Sequence, residues 1–413
     1  MSNFIETEIG LFPTHWSVSS VLNEAEVVTD YVANGSFASL KENVSYKSTV
    51  DYAILIRMVD FSRGFKGDFV YVDEKSYKFL KKSKLLGGEI IISNVGEYAG
   101  TVFRVPTLKS PMTLGPNSIM VKFKEGNDFY YYFFKSPAGQ DLIQSIRTGS
   151  AIPKFNKTDF RNLKIPVLPL QEKEGISEIL SSIDDKINLL HLNNKTLEEL
   201  AETLFRKWFI DDVDIPKGMK LKDYVDSANT GLDAIKRAPI VEKETGIKCL
   251  RIQDVSQTKP FYKWGNSEVE ENNYKRFKLI KGDIIMARTC SPGINYFVRE
   301  DLVSVFNNGL VRIRANNNKV YPIFLYQLFK TRDFIGHIDG VSGGTSVQLN
   351  MQIGDLLDYD FTFINKSKQD DVVSYFLDID EKIFYNLKQI QQLETLRDTL
   401  IPKLMSGVVR VEN

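Results

Sequence analysis

The sequence contains little of the chemistry from which metal sites and disulfides are built. Its two cysteines, Cys249 and Cys290, have no CxxC spacing, and His15, His191 and His337 lie far from one another. Neither a zinc site nor a disulfide framework is therefore expected, and this cysteine usage fits a reducing cytoplasm. No run of about 18 apolar residues occurs and the first residues do not resemble a secretory signal, so we expect neither a membrane span nor secretion.

Motifs of several enzyme classes are missing as well. Without a Gly-Lys dipeptide the chain has no GxxxxGK[ST] phosphate loop, and without a Pro-Pro pair it has no Asn/Asp-Pro-Pro-aromatic motif of amino-methyltransferases. A Pro-Asp pair, which opens the commonest nuclease carboxylate motif, is also missing. The paired carboxylates Asp184-Asp185 fall on the polar side of a predicted helix, where a solvated surface is the simpler interpretation. We therefore predict a chain with no catalytic residues, no metal ion and no cofactor.

The strongest structural signal is a long helix from Gln171 to Phe209. Its apolar positions recur in alternating steps of four and three residues, which is the 3.5-residue period of a coiled coil. No proline interrupts the stretch, so the helix can extend for roughly 55 Å at about 1.5 Å per residue. Such a seam requires a partner helix. The seam positions are Ile176, Leu180, Ile183, Ile187, Leu190, Asn194, Leu197, Ala201, Leu204 and Trp208.

The partner helix is predicted within the same chain, because the sequence is an internal duplication. The sequence IDDKI at 183–187 recurs as IDEKI at 379–383, and GEII at 88–91 recurs as GDII at 282–285. A repeat of this length is a whole domain plus a helix rather than a solenoid unit. Between such shared positions the two copies differ almost completely, so we expect a common fold that carries different exposed residues.

We predict a mixed α/β (α+β) fold with two similar globular domains separated by two long helices that form an antiparallel coiled coil. Runs rich in β-forming residues, such as 52–59, 89–93 and 118–123, indicate short strands. The aromatic block 129–134 followed by 139–146 indicates either a buried helix pair or a strand leading into a helix. The predicted segments are a first domain at 1–165, a first helix at 166–210, a second domain at 211–363, and a second helix with a tail at 364–413.

Each helix seam contains one asparagine, and the two asparagines predict the register. A buried amide left alone costs about 1–3 kcal/mol, whereas two facing amides can hydrogen-bond. We therefore predict that Asn194 meets Asn386 in an antiparallel pair, which also places Leu190 beside Ile390. The second seam includes Phe376, Ile383, Asn386, Ile390, Leu393 and Leu400.

The charge of the chain is balanced, with 53 basic and 53 acidic residues. This balance argues against a simple polycationic nucleic-acid binder. Acidic residues outnumber basic ones on the two predicted helices, so a modest positive excess remains on the globular parts. Contacts with phosphate are therefore expected on the globular parts and not on the helices.

Four stretches, taken with the duplication, resemble the specificity subunits of type I restriction–modification systems. Met219 departs from the family pattern, because an aromatic residue equivalent to Trp16 is expected there. The resemblance covers the whole chain and is specific only when the motifs are combined. The stretches are EIGLFPTHW at 8–16, the LxxIDDKI core at 180–187 with its second copy, FRKWF at 205–209 and TLIPKLMSG at 399–407.

This resemblance implies a non-catalytic subunit that recognises double-stranded DNA in the cytoplasm of a prokaryotic cell. Each of two target-recognition domains would read one half of a bipartite site, and the helix pair would set the spacer and dock the methyltransferase subunits. The resemblance further implies two modification subunits, which carry S-adenosylmethionine and methylate adenine N6. It also implies restriction subunits, which translocate and cut DNA.

Candidate DNA contacts are basic and amide side chains in the connections of the two domains, because such groups bind phosphates and read base edges. For any one of them, a solvated surface charge is the competing interpretation. Arg57 and Asp60 recur as Arg251 and Asp254, which favours a structural ion pair over base reading. The candidates in the first domain are Arg63, Lys66, Lys81, Lys82, Asn94, Arg104, Arg147, Ser150, Lys154 and Lys157. Those in the second domain are Lys263, Arg276, Lys278, Arg288, Thr345, Ser346 and Gln348.

Other interpretations of the same residues remain open at this level. A heptad helix is often a plain dimerisation arm, although a full domain before each helix argues against it. The chain could also be a freestanding DNA-binding or scaffold protein, or the specificity subunit of another fused nuclease–methyltransferase system. Co-purification with a methyltransferase separates these classes.

Overall fold

The computed structural model of the protein describes residues 4–149, 151–210, 218–342, 350–361 and 366–411. They form two compact units, one made of Met1–Ile187 with Leu393–Asn413 and the other of Asn188–Gln392. We call these unit 1 and unit 2. The predicted domain boundaries at 211 and 363 lie outside the described residues. In the described part of the chain, no helix is both long enough and apolar enough to cross a membrane.

Unit 1 is a mixed α/β structure of short strands and short helices, followed by the start of a long helix. Its strands are β1 Phe4–Thr7, β2 Gly10–Pro13, β3 Ser17–Ser20, β4 Ala25–Asp30, β5 Tyr46–Lys47, β6 Ala53–Ile56, β7 Val70–Val72, β8 Lys84–Leu85, β9 Ile90–Ser93, β10 Val102–Arg104, β11 Met112–Leu114, β12 Ser118–Phe123 and β13 Lys164–Val167. Its helices are α1 Val21–Glu24, α2 Phe37–Asn43, α3 Met58–Ser62, α4 Glu74–Phe79, α5 Asn127–Lys135, α6 Pro137–Ser145, α7 Lys157–Asn162 and α8 Leu170–Phe209, the last of which continues into unit 2. Single 3₁₀ turns occur at Tyr31–Asn34 and Lys81–Ser83.

The centre of unit 1 is a four-stranded antiparallel sheet in the order β10-β9-β12-β4. Strand β9 consists of three isoleucines and a serine, and all four are buried. Because side chains alternate across a strand, Ile90 and Ile92 join one hydrophobic cluster while Ile91 joins another. The first cluster contains the helices α5 and α6, and the second contains β6, β8 and β11 of a five-stranded sheet in the order β5-β7-β6-β11-β8. Burial on both faces explains why β9 is a continuous apolar run.

The aromatic block of unit 1 forms two consecutive helices, which decides between the two predicted alternatives. Five of the nine residues of α5 are buried aromatic side chains that pack on the central sheet. Ser136 ends this helix and caps the next, since its hydroxyl accepts a hydrogen bond from the backbone N–H of Gly139. A Cβ atom at Gly139 would lie 2.1 Å from the carbonyl oxygen of Phe133, so only glycine permits this close approach of the two helices.

Unit 2 is built from a second set of elements of the same kind. Its strands are β14 Met219–Lys220, β15 Val225–Thr230, β16 Ile240–Val241, β17 Lys248–Leu250, β18 Gly265–Ser267, β19 Ile284–Ala287, β20 Asn295–Phe297, β21 Ser304–Phe306, β22 Leu310–Ala315 and β23 Asp360–Phe361. Its helices are α9 Ile252–Ser256, α10 Glu271–Phe277, α11 Pro322–Leu328, α12 Arg332–Val341, α13 Ile353–Leu357 and α14 Lys366–Met405, the last of which ends in unit 1. The 3₁₀ turns are Leu221–Tyr224 and Phe261–Lys263.

The sheets of unit 2 repeat the strand orders of unit 1. The central sheet is β20-β19-β22-β15, and a second sheet is β16-β18-β17-β21. In both units one pair in the second sheet is parallel, β6 with β11 and β17 with β21. The duplication predicted from the sequence is therefore present in both sheets, although the second sheet of unit 2 has no counterpart of β8 among the described residues. Met219, which departs from the family pattern, begins β14 and pairs with Phe361.

In unit 1 the first part of α8 packs against the last part of α14 in an antiparallel sense. Ile176 and Leu180 share a hydrophobic cluster with Ile401 and Leu404. One turn further along, Asp184 Oδ1 accepts a hydrogen bond from Arg397 at 2.8 Å. Residue numbers therefore rise on one helix as they fall on the other.

Asp184 was expected on a solvated face, and this expectation is wrong. Its carboxylate is only 21% exposed and also accepts a hydrogen bond from the hydroxyl of Tyr132 at 2.8 Å. Burial of the phenol raises the pKa of Tyr132, so the hydroxyl stays protonated and remains a donor. In unit 2 the equivalent helix position, Asp380, forms an ion pair with Arg299 at 2.9 Å, and both side chains are largely buried. Each unit thus attaches its long helix to its sheet domain through this carboxylate.

In unit 2 the predicted contact between the two asparagines is present. The side-chain N–H of Asn386 donates to Asn194 Oδ1 at 2.7 Å and to Asn193 Oδ1 at 2.9 Å. Asn194 Nδ2 and Asn386 Oδ1 are buried and find no partner among the described residues. The pair therefore favours one register at some cost in stability, as polar residues in coiled coils do.

The seam positions differ in how deeply they are buried. Beyond Asn194 the most buried stripe of α8 passes to Ala201, Phe205 and Phe209, which are each 1% exposed. Phe209 packs against Phe324 with ring centres 4.9 Å apart. Because this part of α8 also packs against the sheet domain of unit 2, its buried positions depart from a strict heptad. Buried seam residues are Ile176, Leu180, Ile183, Ile187, Leu190, Asn194, Ala201, Phe376, Ile383, Asn386 and Ile390. Partly buried ones are Leu197, Leu204, Trp208, Leu393 and Leu400.

We predict opposite effects of single and paired substitutions at the asparagines. Asn386→Ala leaves the buried Asn194 amide without its partner and should lower the free energy of unfolding by about 1–3 kcal/mol. The double variant Asn194→Leu/Asn386→Leu replaces both amides by apolar groups and should be at least as stable as the parent chain. Denaturant unfolding followed by circular dichroism measures both, with the exposed Asn188→Ala as a control. A double variant less stable than Asn386→Ala would contradict this account.

Candidate nucleic-acid interface

The connections of unit 1 gather at one end of its central sheet. Strands β4 and β9 end there and β12 begins there, because Asp30 lies opposite Ile119 and Ser93 lies opposite Ser118. We call this the loop end of unit 1 and define it by residues 30–34, 94–100, 115–117, 147–149 and 151–157. Both faces of the sheet are covered, so its loops meet solvent at the ends of the strands, of which this is one.

The glycine-containing loop at the loop end has a defined shape. Thr148 and Lys154 exchange two backbone hydrogen bonds, at 2.8 and 2.9 Å, and so close the turn between them. Gly149 has a φ of +86°, and a Cβ atom there would lie 2.7 Å from the carbonyl oxygen of Ile152. Glycine is therefore required for the turn itself. Ser150 lies outside the described residues.

Two of the predicted DNA contacts hold this loop in place. The side-chain N–H of Asn94 donates to the carbonyl of Phe155 at 2.9 Å. Lys157 forms an ion pair with Asp30 at 2.8 Å, and both side chains are less than a quarter exposed. These contacts join the end of β4, the end of β9 and the glycine loop. In this structure both side chains brace the loop end.

The other candidates of unit 1 differ in their surroundings. Lys154 is exposed on the glycine loop, and Arg147 is partly buried and donates to Gln144 Oε1 at 2.6 Å. Lys81 and Lys82 are exposed on the 3₁₀ turn before β8. Arg63, which lies 3.8 Å from Asp68, and Lys66 are exposed in the turn after α3.

Arg104 lies at the opposite end of the central sheet, where it pairs with Ile90 at the start of β9. Its guanidinium stacks on the ring of Tyr131 at 4.3 Å and lies 3.0 Å from Asp128. Among the candidates of unit 1, this one is separated from the loop end by the length of a strand.

Unit 2 has a loop end of the same construction, made by the ends of β15 and β19 and the start of β22. We define it by residues 230–233, 288–294 and 307–309 together with Asn350 and Met351. Arg288 occupies the place of Asn94, and its side chain donates to Asn350 Oδ1 at 3.1 Å. Thr345, Ser346 and Gln348 lie outside the described residues.

The remaining candidates of unit 2 lie on neighbouring turns. Arg276 is exposed near the end of α10, with its guanidinium 5.4 Å from the ring centre of Phe277. Lys278 is exposed, and its carbonyl accepts a hydrogen bond from Arg312 at 3.1 Å. Lys263 is exposed on a 3₁₀ turn, with its ammonium group 5.5 Å from the ring centre of Tyr262.

The predicted structural ion pairs are present in both units. Arg57 donates to Asp60 at 2.9 and 3.1 Å, and Arg251 donates to Asp254 at 3.2 Å. The two aspartates are almost completely buried, and each also accepts a hydrogen bond from the backbone N–H of its arginine. These side chains shape the start of α3 and of α9, in keeping with structural ion pairs.

The two cysteines have opposite environments. Cys249 is buried in the second sheet of unit 2, and desolvation raises the pKa of its thiol to about 12. Cys290 is exposed at the loop end, in a left-handed conformation with a φ of +64°. Gly96 occupies the equivalent place in unit 1, with a φ of +88°. Cys290 lies in a stretch where the two copies differ in sequence, but it was not among the predicted contacts.

Comparison with known proteins shows which family the chain resembles. Residues 51–200 match the family model described as a type I restriction modification DNA specificity domain. The chain is 24% identical to the type I restriction enzyme MjaIX specificity subunit of Methanocaldococcus jannaschii, over 100% of this chain and 97% of that protein. It is 25% identical to the MjaVIII specificity subunit of the same organism, over 87% of this chain and 93% of the relative.

A solved structure has a fold similar to that of this chain. The S subunit of the type I restriction–modification system from M. genitalium aligns with a TM-score of 0.56 and 15% identity, over 94% of this chain and 96% of that chain. The chain is therefore similar over most of its length to specificity subunits of type I restriction–modification systems.

The cysteines allow a direct test of the loop end in unit 2. At pH 8 N-ethylmaleimide should modify Cys290 rapidly and leave Cys249 unmodified, because a thiol with a pKa near 12 forms almost no thiolate four pH units lower. Peptide mass spectrometry after timed quenching gives both rates. In denaturant both thiols should react equally fast, which is the control. Equal rates in the folded chain would contradict the placement of Cys249.

Proposed function

We propose that this chain is the non-catalytic DNA-recognition subunit of a type I restriction–modification complex, in which each domain reads one half of a bipartite site. The observation that carries the proposal is one fold built twice with unlike residues at its loop ends. Asn94 is matched by Arg288, and Gly96 is matched by Cys290. Two copies of one framework with different exposed side chains suit two different half-sequences.

The proposal assigns separate tasks to the parts of the chain. The target-recognition domains are residues 1–165 and 211–363, and the helices within 166–210 and 364–413 set the spacer and dock two modification subunits. Methyl transfer to adenine and DNA cleavage belong to the modification and restriction subunits. Since the substrate is cellular DNA, we assign the complex to the cytoplasm of a prokaryotic cell.

Within each domain the exposed candidates divide by chemistry. Lysines such as Lys82 and Lys154 are point charges that suit phosphates, which position a protein on the duplex without reading sequence. The guanidinium of Arg288 presents donors in a fork that matches the O6 and N7 acceptors of guanine. We therefore assign positioning to the lysines and sequence reading to the glycine loops and the residues that follow β9 and β19.

An exchange of one domain tests the modular assignment. Replacing residues 217–362 by the second domain of another specificity subunit should change one half of the methylated sequence and leave the other half unchanged. Adenine-methylation mapping in cells that express the chain with its modification subunit shows the result. A change in both halves, or in neither, would contradict the assignment.

Isolated from its partners, the chain should transfer no methyl group from S-adenosylmethionine.

Two exposed lysines of unit 1, Lys154 at the loop end and Lys82 on the turn bonded to Asn34, should act through phosphates. Lys82→Ala and Lys154→Ala should each weaken DNA binding by the complex for specific and unrelated duplexes alike. Each should also lower the slope of log K against log salt by about 1, since about one counterion is released per phosphate contact. Lys122→Ala is the matched control, because Lys122 is also exposed but pairs with Glu26 near the opposite end of the sheet. An equal effect of all three substitutions would contradict the assignment.

A further inference from the structure

Two of the most exposed apolar side chains lie in equivalent connections of the two units. Phe37 and Ile235 are each 82% exposed, and among the large apolar side chains of the described residues only Val50 at 80% and Leu86 at 79% approach them. Phe37 lies in the connection from β4 to β5, and Ile235 lies in the equivalent connection from β15 to β16. The two connections have unlike sequences, so the shared feature is not simply a set of copied residues.

Each of these side chains is presented by a backbone that local hydrogen bonds hold in place. In unit 1 the hydroxyl of Ser36 caps α2, of which Phe37 is the first residue, and the buried Leu40 anchors the helix. In unit 2 a single carboxylate oxygen of Asp233 accepts hydrogen bonds from the backbone N–H of Ile235 and of Lys236, at 3.0 and 2.8 Å. A side chain held in this way loses little conformational freedom when it binds.

Cationic side chains lie beside the connection in both units. In unit 1 the backbone N–H of Lys82 donates to Asn34 Oδ1 at 2.8 Å, which fastens the Lys81–Lys82 turn to the segment leading into α2. In unit 2 Arg237, two residues after Ile235, donates to Asn273 Oδ1 at 2.7 Å and lies over the ring of Phe277.

An exposed apolar side chain with cationic neighbours is better suited to bind DNA than to bind a protein partner. The cations can form ion pairs with phosphates. The apolar side chain can insert between stacked base pairs, as apolar side chains do in proteins that kink DNA. The centres of protein–protein interfaces, by contrast, are poor in lysine. Charge complementarity therefore favours DNA as the ligand of this feature.

We propose that Phe37 and Ile235 are wedges that enter a base-pair step, one in each half-site, while the neighbouring cations hold the phosphates. This inference rests on the proposed function, because it takes double-stranded DNA as the ligand. Pyrimidine–purine steps unstack at lower cost than others, so the wedges add a sequence preference that needs no hydrogen bond to a base.

The test uses the full chain co-purified with its modification subunit and a duplex that carries the methylation site mapped in cells. The fluorescent base 2-aminopurine is placed in turn at each position of both half-sites except the adenines that become methylated. With the parent chain, fluorescence should rise at one step in each half-site. Phe37→Ala should abolish the rise in one half-site only and weaken binding about tenfold or more, and Ile235→Ala should do the same in the other half-site. Phe37→Leu keeps an apolar tip and should retain most of the signal.

The controls separate the possible results. Val50→Ala and Leu86→Ala remove apolar side chains of similar exposure outside these connections and should change neither fluorescence nor binding. A site that is methylated normally while Phe37→Ala leaves the fluorescence unaltered would overturn the wedge. Loss of the modification subunit from the Phe37→Ala complex would also overturn it, because the side chain would then bind protein. If cells show no bipartite methylation site at all, the proposed function itself fails.

Discussion

Burial of the central sheet on both faces is the constraint on which each unit depends. In unit 1 the side chains of β9 alternate between a cluster with helices and a cluster with a second sheet, and all four are inaccessible. In a sheet that is covered on both faces, polar side chains can reach solvent only where the strands end. The loops at one end of the sheet therefore carry the variable residues, and positions along the strands vary only within what packing allows.

Much of this organisation could be predicted from the sequence, because it depends on periodicity and on repetition. The long helix was expected from Gln171 to Phe209 and extends from Leu170 to Phe209, and the strand at 118–123 has the predicted bounds. The contact of Asn194 with Asn386 follows from one rule, that a buried amide requires a partner. These features are local, or are fixed by one long-range assumption.

The remainder depends on contacts that no spacing rule contains. Asp184 has the surroundings of a solvated carboxylate in sequence, and only the fold brings the hydroxyl of Tyr132 to it. Phe209 lies off the heptad, and its burial follows from the sheet domain of unit 2. The DNA contact of Asn94 stays a prediction, but the hydrogen bond by which its side chain braces a loop was not expected from the sequence. In each case tertiary contacts decided the outcome over the local pattern.

The backbone explains how the two loop ends can differ without loss of the fold. Asn94 donates its backbone N–H to the carbonyl of Asn117 and accepts a hydrogen bond from the N–H of Phe155. Arg288 makes the same two backbone hydrogen bonds, to the carbonyl of Gly309 and from the N–H of Met351. Because the frame is fastened through peptide groups, which every residue other than proline supplies, the side chain at this position is free to change from an amide to a guanidinium. Under the proposed function, a recognition surface that rests on backbone hydrogen bonds can take a new sequence preference by substitution alone, and the two units would be two such outcomes on one frame.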